Sequence, residues 1–76
     1  MIEKIYEAAK GRGLVRSKRH FSKVLLGMAA NYAADTGFDR CSAVALLHLY
    51  RRLGELGAVD LQAMAFQHLL DTEAAP

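Results

Sequence analysis

A chain of 76 residues holds one domain and buries only roughly 60% of the surface its unfolded form exposes; with 53% hydrophobic residues, one proline and no low-complexity tract, it reads as a globule and not as a disordered segment. The longest apolar runs, such as Val24–Leu26 and Ala43–Leu47, fall far short of the roughly 20 residues of a membrane span, and no signal-peptide pattern opens the chain, so the expected location is cytoplasmic with no membrane partner. The single cysteine, Cys41, excludes an intramolecular disulfide framework, and the net charge of +2 conceals +6 over residues 1–52, which hold all ten basic residues, against −4 over residues 53–76.

Ile2, Ile5, Tyr6 and Ala9 repeat at helical spacing, and Gly11 with Gly13 stops the pattern, so a first helix is predicted from about Ile2 to Lys10. Ser17 is placed to accept from the free amides of the next helix, with Val15 packing against its start. That second helix is predicted from about Lys18 to Leu26. It turns Phe21, Val24 and Leu25 inward, leaves Lys18, Arg19, Ser22 and Lys23 outside, and ends at Gly27. The alanine-rich "MAANYAADTG" predicts a third helix of about two turns stopped by Gly37. "FDRCS" is a connection in which Phe38 dips inward while Asp39 and Arg40 stay in water.

Ser42 is the next cap candidate. From Ala43 to about Leu56, one stripe of Ala43, Leu46, Leu47, Tyr50 and Leu53 runs beside a second of Ala45, Leu49 and Leu56, which predicts the most buried helix. Gly57 closes it, and Asp60 is expected to cap a last helix ending near Leu70, with Val59, Ala63, Phe66 and Leu70 facing the core. The tail from about residue 71 to 76 is expected to fray. No segment alternates with period two between turn signals. The expected fold is all-α, a compact bundle of about five short helices in a single domain spanning residues 1–76.

Signatures of catalysis are absent: there is no glycine-rich phosphate loop, no histidine pair at metal spacing and no serine in a nucleophile elbow. His20, His48 and His68 fall on three different predicted helices, and Cys41 has no second thiol near it. No catalytic residue, metal or cofactor is therefore assigned, and the chain is not expected to be an enzyme. Charge carries more information. Lys10, Arg12, Arg16, Lys18, Arg19 and Lys23 lie in one stretch without an acid, a field that attracts an anionic partner, although exposed charges are also the ordinary dress of a helix exterior.

The order of a capped helix, a glycine, a short helix and a second glycine over residues 17–37 is that of a helix-turn-helix. "SKRHFSKVLLGMAANYAADTG" resembles the helix-turn-helix of Cro and phage-repressor-like regulators, with Phe21, Ser22, Leu26 and Gly27 at the corresponding places. The pattern "GLVRS...FS...LG...NY" over Gly13 to Tyr32 also resembles a family of short alphaproteobacterial proteins of similar length, a likeness that brings no activity with it. The spacing departs by one residue, since Lys23, Val24 and Leu25 stand where the motif has two.

The resemblance implies a small bacterial regulator binding double-stranded DNA. Arg16, Ser17, Lys18, Arg19, His20 and Lys23 would lie along the sugar-phosphate backbone. In the second helix of the motif, which enters the major groove, Asn31 is the only side chain suited to a base edge, here adenine. That scarcity supports a rival expectation, a helical module that binds protein. Leu61, Met64, His68 and Leu69, beside the core row of the last helix, are its candidate interface, for a homodimer or another partner through the last two helices.

Overall fold

The computed structural model describes residues 2–74, with side chains for all but Asp39 and residues 72–74. It consists of α1 (Ile2–Gly11), α2 (Lys18–Val24), α3 (Tyr32–Thr36), α4 (Ala43–Glu55) and α5 (Val59–Ala74), with a 3-10 turn at Phe38–Arg40. The fold is all-α, and no strand occurs among the described residues.

Two serine caps start helices where the sequence places them. Ser17 Oγ accepts from the His20 N–H at 3.2 Å, and Ser42 Oγ accepts from the Ala45 N–H at 3.2 Å. Each satisfies one of the four amides that a helix start leaves without an internal partner. At the end of α4 the Gly57 N–H bonds the Gly54 carbonyl and the Ala58 N–H bonds the Leu53 carbonyl, a Schellman closure. It requires the positive φ of 75° that Gly57 adopts. The chain then reverses directly into α5, so α4 and α5 form an antiparallel hairpin. Gln62 Nε2 on α5 donates to the Tyr50 carbonyl on α4 at 3.2 Å.

The core gathers Ile2, Ile5 and Ala9 from α1, Phe21, Leu25 and Leu26 from α2 and its end, Ala45, Leu46, Leu49 and Leu53 from α4, and Leu61, Ala65 and Leu69 from α5. Val15 is buried against it beside the start of α2, as the spacing predicts. Phe38, half-buried, stacks on Tyr6 at 5.5 Å between ring centroids and meets Phe21 edge-on at 5.8 Å, which fastens the 3-10 turn to α1 and α2. Arg40 is exposed as expected; the Asp39 side chain lies outside the described residues.

Several boundaries differ from the periodicity. α3 starts at Tyr32 and holds five residues, four positions later than the alanine-rich stretch predicts. The cause lies upstream: Gly27 turns the chain with φ 65°, and the Met28 N–H bonds back to the Ser22 carbonyl at 2.9 Å, so Met28–Asn31 are spent crossing between helices. Ser22, expected outside, is fully buried, and its hydroxyl accepts from the Ala33 N–H at 3.0 Å. It thereby fastens α3 to α2 and satisfies a buried donor. α5 runs to Ala74, four residues past the end that the spacing predicts; residues 75 and 76, the rest of the tail expected to fray, lie outside the described residues.

Asp60 is not a cap. It stands in the first turn of α5, after Val59, and its carboxylate takes both terminal nitrogens of Arg12, one at 2.9 Å, tying the segment after α1 to α5. The Arg12 guanidinium holds the Asp60 carboxyl down at about 2, with the Leu61 backbone amide assisting. Being depressed, the group contributes stability that is complete above the unfolded value of about 3.9 and is lost as pH falls through about 2. In an NMR pH titration, the Asp60 carboxyl is expected to show its midpoint near 2 in the unchanged chain and to return toward about 4 in Arg12→Ala. An unmoved midpoint would exclude Arg12 as the cause.

Candidate functional site

The basic residues at the start of α2 are exposed. Arg16, Lys18, Arg19 and Lys23 all lie in solvent, as does Lys10 at the end of α1. Among the described residues the ion pairs are Arg12–Asp60 and Arg52–Glu55, and neither involves a member of this group. Among the described residues no carboxylate is bound to cancel their positive field. Lys18 Nζ sits 5.5 Å from the centre of the Phe38 ring, which holds the cation in place and puts the 3-10 turn, with exposed Arg40, beside the start of α2.

Two other residues expected along the backbone have structural duties. The Ser17 oxygen is the α2 cap, and His20, half-buried, accepts the Arg16 N–H on Nδ1 at 3.0 Å. The two side chains close the helix start reciprocally, in the manner of a capping box with histidine in the acceptor role. With Nδ1 accepting, the neutral ring carries its proton on Nε2. His20 thus retains one donor, while its other nitrogen shapes the loop that presents Arg16.

Asn31 is exposed just ahead of α3, and its amide Nδ2 donates to Asp35 Oδ2 at 2.6 Å. An adenine contact uses Oδ1 and one of the two Nδ2 hydrogens, so Asn31 would have to share its amide group with Asp35. The connection from α2 to α3, Leu25–Asn31, has seven residues, where a helix-turn-helix takes about three or four. The five-residue α3 presents few side chains to a groove, and Asp35 among them repels phosphate.

The histidines and the cysteine lie on different elements. His48 on α4 lays its ring over Gly27 and shares a hydrogen bond of 2.9 Å between Nδ1 and the Leu25 carbonyl; since a carbonyl only accepts, Nδ1 carries the proton. His68 is half-buried on α5, and Cys41 is buried after the 3-10 turn. Among the described residues no group of three or more His, Cys, Asp or Glu side chains is arranged to hold a metal. No described helix is long and apolar enough to cross a membrane.

The last helix is rotated relative to the expectation. Leu61 and Leu69, candidates for a partner interface, are 2% and 9% exposed and belong to the core, with Met64 and His68 half-buried beside them. The row expected inside faces out: Val59 is 68% exposed, Phe66 50% and Leu70 46%. On α4 the buried side draws on both expected stripes, Leu46 and Leu53 of the first and Ala45 and Leu49 of the second, while Ala43 and Leu47 of the first and Leu56 of the second are exposed. Both rows of α5 are apolar, and only one can meet α1 and α4. Ala65 is buried in the row that turns inward, and Ala58, just before the helix, is buried with it.

The outcome is an apolar face along the hairpin that sequence reasoning assigned to the interior. Between the helices it forms a groove of about 300 Å³ lined by Ala43, Leu47, Tyr50, Phe66, Leu69 and Leu70. Val44, 69% exposed, stands beside it, and Tyr50 and Phe66 pack ring against ring at 5.9 Å between centroids. The signal in the sequence was the excess of apolar residues around α5, more than one buried side requires. No family model, curated protein or solved structure matches the chain.

Proposed function

We propose that the chain is a small DNA-binding module, of the kind found in bacterial helix-turn-helix regulators, that grips the sugar-phosphate backbone through Arg16, Lys18, Arg19 and Lys23. The observation that carries this reading is the exposure of Arg16, Lys18, Arg19 and Lys23, none of which is neutralised by an ion pair among the described residues. Phosphate contacts supply affinity and register without telling sequences apart. With α3 cut to five residues and Asn31 beside it the one side chain suited to a base edge, the mode of binding is sequence-tolerant.

Four such contacts give a slope of log affinity against log salt of about −3.6. Replacing Lys18, Arg19 and Lys23 together by alanine is expected to reduce the slope's magnitude by about 2.7 and the affinity at low salt by roughly tenfold or more, with helical circular dichroism unchanged. Fluorescence anisotropy of labelled duplexes across a salt series measures both quantities. A slope near zero for the unchanged chain, or equal binding by the triple variant, overturns the reading.

A second reading, a module that binds protein, is favoured by the exposed face of α4 and α5. Amide shifts on addition of duplex separate the two: changes confined to residues 16–32 support the DNA reading, and no response there supports the protein-binding one.

A further inference from the structure

We propose that Asp60 masks a fifth phosphate-binding residue, Arg12, by occupying its guanidinium in place of a phosphate, an autoinhibitory contact between the start of α5 and the basic segment. Lys10, Arg12, Arg16, Lys18, Arg19 and Lys23 lie in one acid-free stretch of the chain. Among the described residues, Arg12 alone of these six is held by a carboxylate, and that carboxylate comes from 48 positions further on. The inference rests on the DNA-binding reading and states how that same site is limited.

The contact has the form in which arginine takes a phosphate. Nη1 donates to Asp60 Oδ1 at 2.9 Å and Nη2 to Oδ2, the two-bond fork by which a guanidinium binds carboxylate and phosphate alike. A phosphate arriving at Arg12 finds its outer pair of donors taken and a carboxylate charge beside them. The two side chains are 44% and 63% exposed, so an anion in solution reaches the pair without any change in the core. The backbone there is fixed independently, since the Arg12 N–H bonds the Ala8 carbonyl at 3.0 Å and the Gly13 N–H bonds the Lys10 carbonyl at 3.1 Å. Removing the Asp60 charge therefore frees the guanidinium and not the segment that carries it.

Arg12 stands four positions before Arg16, a span of at most about 14 Å. One strand of a duplex places a phosphate about every 3.4 Å of helix axis, so a strand gripped at Arg16 carries further phosphates within that span. The Asp60 carboxyl, held down at about 2 by the guanidinium, is ionised throughout the neutral range, so acidity does not lift the mask there.

The salt dependence of duplex binding by the full chain, read by fluorescence anisotropy, tests the mask. Asp60→Asn is expected to steepen the slope of log affinity against log salt from about −3.6 to about −4.5 and to raise affinity at about 50 mM salt at least threefold, with helical circular dichroism as in the unchanged chain. Asp60→Ser, which keeps an oxygen at the helix start, is expected to behave alike. Arg12→Ala is expected to leave the slope near −3.6, and adding it to Asp60→Asn to bring the slope back there. Glu7→Gln, an equal change of net charge at an exposed position of α1, is expected to leave the slope as it is. An unaltered slope in Asp60→Asn, or a steepening that survives Arg12→Ala, overturns the mask and leaves the pair a structural tie. A slope already near −4.5 in the unchanged chain, lost in Arg12→Ala, also overturns it, because phosphate then displaces Asp60 unaided. A slope near zero in the unchanged chain overturns the DNA reading itself, and the mask with it.

Discussion

Phe21→Ala is expected to lower stability by about 3–5 kcal/mol, whereas Phe66→Ala is expected to cost about 1 kcal/mol or less. The two residues have the same chemistry, and both face the core by helical spacing. Phe21 is fully buried, edge-on to Tyr6 at 5.4 Å and to Phe38 at 5.8 Å, so its removal opens a cavity where α1, α2 and the 3-10 turn converge. Phe66 is 50% exposed and gives up one face contact with Tyr50. A domain of this size has a total stability of about 4–11 kcal/mol, so the first change consumes about a quarter of it or more. Urea denaturation at constant slope measures the difference; equal midpoints for the two variants would overturn the observed rotation of α5.

Gly27→Ala is expected to destabilise by about 2–3 kcal/mol, from two separable causes. The residue holds φ 65°, a left-handed conformation that an L side chain resists at a cost of about 1 kcal/mol. A Cβ there also falls 2.7 Å from His48 Cδ2, inside any permitted contact, so the imidazole must leave the Leu25 carbonyl. In a His48→Ala background only the backbone cause remains, and Gly27→Ala is expected to cost about 1 kcal/mol. An identical cost in both backgrounds would show that the ring does not occupy that space. The same contact places His48, which sequence reasoning left without a role, as the brace between α4 and the end of α2.

Local chemistry made much of the fold legible. Ser17 and Ser42 cap the helices they were expected to cap, and Gly57 ends α4, because an amide without a partner or a left-handed turn is a demand that a few residues settle by themselves. The exposure of Arg16, Lys18, Arg19 and Lys23 was legible for a similar reason: an unpaired charge stays in water whatever the packing around it. Ser22 was misplaced because its hydroxyl is buried by a partner eleven residues away, the Ala33 amide, and helical spacing carries no record of it. α3 was misplaced because the crossing of Met28–Asn31 depends on where α2 has to meet its neighbours.

In the sequence alone lie the helical class, the caps and turns, and the division of the chain into a basic half and an acidic one. Periodicity also shows that α5 has two apolar rows. Which row turns inward is a question of rotation about the helix axis, and sequence spacing has no term for it. Packing against α1 and α4 answers it, by burying Leu61, Ala65 and Leu69 and leaving Val59, Phe66 and Leu70 in water. Tertiary structure therefore decided where the apolar face lies.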